Sequence, residues 1–149
     1  LDSHDTPRLL NRCGGNKELL KLAVLFQMAY LGIPCIYYGD EIGMAGDGDP
    51  DCRRTMIWDE EKQDKELLEF YRKCISLRKT HAALRRGGCK FLYARDAQLV
   101  MQRYTDEEEV IIAFNASMEQ SEIAFIANNK DYSISLAPYD YKIIIHKKA

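Results

Sequence analysis

The sequence predicts an α/β segment followed by an antiparallel β-sandwich. Three observations predict it. Between Lys17 and Tyr38 a helix-forming stretch, a glycine and a short apolar run succeed one another, as in the αβ half of a βα repeat. After Gly87-Gly88 the hydrophobic period changes from helical to two. Six short segments then follow at even spacing, separated by polar turns, which is the pattern of a sandwich. The two domains are expected at residues 1–88 and 89–149.

The chain opens on Leu1-Asp2-Ser3-His4-Asp5-Thr6-Pro7-Arg8. A start on a polar segment without methionine is expected to continue a longer protein. Pro7 lacks a backbone donor and fixes its own φ, so the His-Asp pair leads into a turn or a first helical turn. Leu9 to Cys13 is short and broken by Gly14-Gly15. Asn16 is a candidate N-cap for a helix from Lys17 to Leu31. Its apolar residues cover most of the circumference, so it is expected to pack on more than one side. Gly32 is placed to stop it.

Ile33 to Tyr38 is too short for another helix and suits a strand buried on both faces, with Pro34 at its beginning. Asp40 and Glu41 follow it directly. Carboxylates after a barrel strand fall on the face where such enzymes place their chemistry; the alternative is that they brace the loop. Ala45 to Gln63 reads as a loop. Asp47, Asp49 and Asp51 imitate the start of a calcium loop, but Cys52 and Trp58 stand where glycine and glutamate are needed. Trp58 is expected to order its segment by burying its ring. Asp64 to Lys79 forms a second helix, acidic residues leading and basic ones trailing. It frays through Arg86, with His81 at the surface near its end.

The predicted strands are Cys89 to Ala94, Gln98 to Tyr104, Glu109 to Asn115, Glu122 to Ile126, Tyr132 to Leu136 and Tyr141 to His146. Glu107-Glu108-Glu109 reads as a solvated turn. This half carries no catalytic constellation and is expected to cap apolar surface; Tyr139 and Tyr141 either stack on sugars or fill a core.

Composition narrows the class. The chain is 46% hydrophobic and 30% charged, with 21 basic against 23 acidic residues and a net charge of −2. That balance gives no electrostatic case for nucleic acid or an anionic membrane. The apolar stretch Leu19 to Tyr38 is interrupted by Lys21, Gln27, Gly32 and Pro34, which rules out a spanning helix. Five cysteines form no C-x-x-C pair, so neither a zinc nor a redox motif is supported. They are expected to be free buried thiols in a reducing, cytoplasmic setting, where Asn115-Ala116-Ser117 carries no weight as a glycosylation site.

Four segments in order complete the picture: Ser3-His4-Asp5-Thr6-Pro7-Arg8, Gly32-Ile33-Pro34-Cys35-Ile36-Tyr37-Tyr38-Gly39-Asp40-Glu41, Asp49-Pro50-Asp51-Cys52-Arg53-Arg54 and Met56-Ile57-Trp58. Together they resemble the C-terminal part of the alpha-amylase family of glycoside hydrolases. The Asp-Pro-Asp-x-Arg-Arg loop is similar to the cyclomaltodextrinase, neopullulanase and maltogenic amylase branch. Thr55 departs from the proline that this branch often places after the two arginines.

The resemblance implies the last βα units of a (β/α)₈ (TIM) barrel followed by the sandwich. It implies a retaining hydrolase of α-glucosidic bonds in maltodextrins, cyclodextrins or pullulan, in which Asp5 stabilises the transition state. His4, Asp49 and Arg53 would bind substrate. The nucleophile and the acid-base would lie upstream, so this chain alone is expected to be inactive. A transglycosylase, or a non-catalytic sugar-binding scaffold, are the alternatives. No metal or other cofactor is expected in this chain, any calcium lying elsewhere in the complete protein. The expected partners are α-glucan oligosaccharides, and a second copy in a homodimer of the complete protein.

Overall fold

The computed structural model describes residues 1–148. The chain divides into two compact units, one formed by residues 1–28 and 33–76, the other by 29–32 and 77 onward.

The first unit is built on one short helix and most of two long ones. Helix α1, Leu9–Arg12, is a single turn ended by Gly14 and Gly15, both at positive φ. Helix α2 spans Lys17–Ala29. Asn16 caps it as the sequence predicts, its Oδ1 accepting from the backbone N–H groups of Glu18 and Leu19 at 3.0 Å each. Leu20, Leu22, Val24, Leu25, Met28 and Ala29 are all buried, which accounts for its mostly apolar circumference. The helix ends two residues earlier than the predicted Leu31, and Gly32 turns the chain at φ +89°.

Helix α3, Lys65–Thr80, begins on the side chain of Asp64, which accepts from Leu67 N at 2.9 Å. Leu67, Tyr71 and Cys74 lie on one face and are buried. Lys21 of α2 joins the two helices, reaching Glu66 of α3 at 2.5 Å and Glu18 at 2.9 Å.

Three expectations fail in this unit. Ile33 to Tyr38 is not a strand: it has no regular secondary structure and Ile33 is 96% exposed. A strand needs hydrogen-bonded neighbours, and among the described residues no segment pairs with this one; side chains take up two of its carbonyls instead, Gln27 on Cys35 and Arg8 on Tyr38. Trp58 does not bury its ring and is 81% exposed. Of the five free cysteines only Cys52 and Cys74 are buried, and Cys35 is exposed.

The second unit opens with helix α4, Ala82–Arg86, a separate turn where fraying of the preceding helix was expected. Six strands follow: β1 Gly88–Arg95, β2 Gln98–Tyr104, β3 Glu108–Asn115, β4 Ser121–Ala127, β5 Lys130–Leu136 and β6 Asp140–Lys147. Each predicted strand is present, longer by one or two residues or unchanged. All pairings are antiparallel, in a four-stranded sheet ordered β1-β2-β3-β6 and a two-stranded sheet β4-β5. A bulge at Leu92 shifts the β1–β2 register. The β4–β5 turn is Asn128-Asn129, with φ of +50° and +59°, the two positive values that a tight hairpin requires.

The core joins the two sheets: Val100, Ile111 and Ala113 from one, Ile123, Phe125, Ala127, Ile134 and Leu136 from the other. Phe125 and Tyr132 stack with their rings 5.1 Å apart. On the opposite face of the larger sheet Arg103 is buried, yet its guanidinium donates to the carbonyls of Ala29, Gly87 and Gly88. Gly87 lets the backbones of α4 and β2 approach it closely, since a Cβ there would overlap the carbonyl oxygens of Ala83 and Tyr104.

Of the acidic run only Glu107 sits in an exposed bend; Glu108 and Glu109 belong to β3 and are covered. Glu108 binds His81 Nδ1 and the N–H of Ala83, both at 2.9 Å, so His81 is mostly covered and not a surface residue. Glu109 is buried and accepts from Gln102 at 2.7 Å and from Asn128 at 2.5 and 2.6 Å. The carboxylate thus pins the β4–β5 hairpin to β3.

Two stability outcomes follow from these contacts. Asn16→Ala is expected to destabilise the first unit by about 1 kcal/mol, the usual loss on removing an N-cap side chain. Glu109→Ala strands two amide donors and is expected to destabilise the second unit by about 2–3 kcal/mol. Urea unfolding followed by circular dichroism checks both.

Candidate functional site

Residues 2–9 form a turn closed by its own side chains. Asp2 Oδ2 accepts from Leu9 N at 2.6 Å, Ser3 N donates to Thr6 Oγ1 at 3.0 Å, and Asp5 N donates to Ser3 Oγ at 3.2 Å. Short polar side chains that bond to nearby backbone favour such a turn over a helix. His4 and Asp5 therefore stand at its crest, facing solvent; the Asp5 side chain is 66% exposed.

The loop from Gly39 to Arg54 meets this turn. Arg8 N donates to Gly46 O at 2.9 Å. The Cys52 thiol donates to His4 O at 3.2 Å, and Arg53 Nε donates to the same oxygen at 3.0 Å. Two 3-10 turns shape the loop, Asp40–Ile42 and Asp51–Arg53, and the Asp49–Pro50 bond is cis. Asp51 is committed within the loop, accepting from Asp47 N at 2.8 Å and pairing with Arg54, which holds its carboxyl below the usual range.

All four residues singled out in the sequence meet in one cluster. His4 Nε2 lies 3.3 Å from Asp5 Oδ2. Arg53 reaches the other oxygen, Asp5 Oδ1, at 3.4 Å, and its Nε lies 3.0 Å from Asp49 Oδ1. Each oxygen of the Asp5 carboxylate thus has a donor group on its flank. Both ion pairs of Arg53 are exposed, so they contribute little to stability. Chemically the cluster offers a carboxylate acceptor between an imidazole and a planar guanidinium, a set that can accept from and donate to neighbouring hydroxyl groups. A separate open cleft of about 390 Å³, lined by Gly43, Met44, Ala45, Arg54, Thr55 and Ile57, includes none of the four.

Beneath the cluster lies a pair that sequence reasoning missed. Arg8 is fully buried. Its NH1 donates to Asp40 Oδ1 at 2.9 Å and to Tyr38 O at 2.8 Å. The rings of Tyr37 and Tyr38 flank its guanidinium at 4.6 and 4.9 Å. Its Nε and NH2 have no hydrogen-bond partner among the described residues. Asp40 therefore braces the loop, and so does Glu41, which accepts from Gly39 N at 2.8 Å. The signal in the sequence was a carboxylate followed by no nearby base; such a group needs a counter-charge from elsewhere in the chain. Burial, with Asp2 beside it, pushes the Asp40 carboxyl up to about 8 against the pull of Arg8. Among the described residues no group of His, Cys, Asp and Glu has the arrangement of a metal site.

The catalytic-domain model of the alpha-amylase family matches residues 1–87. The chain belongs to the alpha-amylase family. It is 45% identical to the cyclomaltodextrinase of Geobacillus thermopakistaniensis, over 95% of this chain and 27% of that protein. Neopullulanase 2 of Thermoactinomyces vulgaris is 48% identical over 87% of this chain and 20% of its own length. Among solved structures, the ligand-free cyclic alpha-maltosyl-(1→6)-maltose hydrolase of Arthrobacter globiformis superposes with a TM-score of 0.90 at 28% identity. That match covers 99% of this chain and 34% of the hydrolase. This alpha-amylase-family chain thus spans a fifth to a third of the proteins it matches, and its first part is a barrel fragment by that kinship. Among the described residues no helix is long and apolar enough to cross a membrane.

The raised Asp40 carboxyl has a measurable consequence. Its folded pKa lies above the unfolded value of about 4, so the folded state holds a proton that the unfolded state has released between those limits. Stability of the first unit is expected to fall as pH rises from about 4 to about 8 and then to level off. Unfolding followed across that range checks the trend, which should flatten in Asp40→Asn.

Proposed function

We propose that this chain is the C-terminal part of a retaining glycoside hydrolase that cleaves α-glucosidic bonds in maltodextrins, cyclodextrins or pullulan. The observation that carries the reading is the convergence of His4 and Arg53, from two segments more than forty residues apart, on the exposed Asp5 carboxylate, with Asp49 paired to Arg53. Kinship with a cyclomaltodextrinase and a neopullulanase supports the substrate class.

In this reading Asp5 grips ring hydroxyls of the glucose at the scissile bond. A retaining hydrolase passes through oxocarbenium-like transition states on either side of a covalent glycosyl intermediate. A carboxylate whose hydrogen bonds to the sugar strengthen as positive charge develops favours that state over the ground state. His4 donates to the same hydroxyls, while Arg53, oriented by Asp49, reaches the neighbouring glucose. The nucleophile and the acid-base belong to other strands of the barrel, so residues 1–88 complete a site and do not make one alone. Residues 89–148 form the sandwich that follows the barrel. No cofactor enters the reaction at these residues. The five free thiols suit a reducing cytoplasmic compartment.

The test is Asp5→Asn in the complete enzyme, assayed on a cyclodextrin. The amide keeps the shape and loses the charge, and kcat is expected to fall by about 10²- to 10³-fold or more, the usual scale for removing one electrostatic stabiliser. Activity near that of the parent would reject the role. The 149-residue chain by itself is expected to show no turnover on the same substrate.

A further inference from the structure

We propose that Arg8, clamped by Asp40, is the positioning residue of this site: it fixes where the Asp5 turn stands against the loop that carries Asp49 and Arg53. The inference rests on the reading of Asp5 as a sugar-gripping carboxylate, and adds to it the device that aims that carboxylate.

The contacts form a closed circuit within the first unit. Arg8 stands three residues after Asp5. Its side chain holds Tyr38 O and Asp40, and its own backbone N–H holds Gly46. The two tyrosines over its guanidinium reach onward: Tyr38 OH donates to Arg54 O at 2.7 Å, and Tyr37 OH donates to Cys52 O at 3.4 Å. Cys52 and Arg53 then return to His4 O. The path runs from Arg8 through the tyrosines to residues 52–54, on to His4 and back along the chain to Arg8. Displacing the guanidinium displaces two sides of the Asp5 cluster relative to each other.

Stability alone does not account for a charge in this slot. Burying a guanidinium is costly even beside a good acceptor, and among the described residues two of its nitrogens go unpartnered. Arg103 in the second unit shows the contrast, each of its three nitrogens donating to a carbonyl. Arg8 keeps a directional donor aimed at two acceptors on one loop end, between two aromatic faces, and a lysine offers neither the planar fork nor the stacking.

The experiment is 15N NMR of the complete enzyme, reading the Arg53 Nε–H and the amides of Asp5 and Thr6, with titration by maltotriose. Arg8→Lys and Asp40→Asn test the clamp. Tyr38→Phe, a change at a partly exposed ring that leaves the core intact, tests the circuit. Asn16→Ala loosens the same unit elsewhere and serves as the stability control. In the first three variants the Arg53 Nε–H is expected to exchange at least tenfold faster and the Asp5 amide to shift, with the amides of β2 and β3 unchanged and maltotriose affinity reduced about tenfold. In Asn16→Ala those signals should stay as in the parent. Unmoved Arg53 and Asp5 signals in Tyr38→Phe and Asp40→Asn would overturn the proposal, as would equal movement in Asn16→Ala. Asp5→Asn separates the two readings: if it leaves maltotriose binding unchanged while Arg8→Lys still moves the reporters, positioning stands and the sugar role of Asp5 falls.

Discussion

A buried guanidinium is the constraint on which the first unit depends. Arg8 has no exposed surface, so its charge must be answered inside the fold. Asp40, the carbonyl of Tyr38 and the faces of two tyrosines supply that answer. All of them come from the stretch 37–40, some thirty residues along the chain. One interaction therefore ties the opening turn to the loop after the apolar run, and the local order of both follows. Asp2 closes the turn on Leu9 N, while Asp51 and Asp49 order the far end of the loop.

The buried pair and the exposed cluster divide the labour of the candidate site. Electrostatic stabilisation works best when the groups that provide it are already in place. Exposed side chains such as Arg53 and Asp5 cannot hold their own geometry, because water competes for each of their hydrogen bonds. Here the backbone beneath them is held: the thiol of buried Cys52 donates to His4 O and Arg8 N donates to Gly46 O. Placement of the carboxylate is thus a property of buried contacts, while its chemistry belongs to the surface.

The second unit solves a similar problem by other means. Arg103 and Glu109 are both buried charged residues, and each is met by neutral groups: three carbonyls for one, side-chain amides for the other. Asn128 serves twice, adopting the positive φ of the hairpin turn and donating to Glu109. The small two-stranded sheet is held to the larger one by this polar latch and by the apolar core between them. Two strands alone would be marginal in water.

The sequence by itself determined the local elements and the membership of the cluster. The cap at Asn16, the buried faces of both long helices and the six strands follow from residue spacing, because helical and strand periods are set by backbone geometry. His4, Asp5, Asp49 and Arg53 were legible as a set through their motifs. Only the tertiary structure decided what answers each buried charge. Arg8 and Asp40 are thirty-two positions apart, Glu109 and Asn128 nineteen, and no local period links them. It also decided that Ile33 to Tyr38 stays irregular and that Trp58 stays exposed. An apolar run states a preference for burial, but a strand exists only where neighbours take up its backbone groups, and neighbours are a property of the fold.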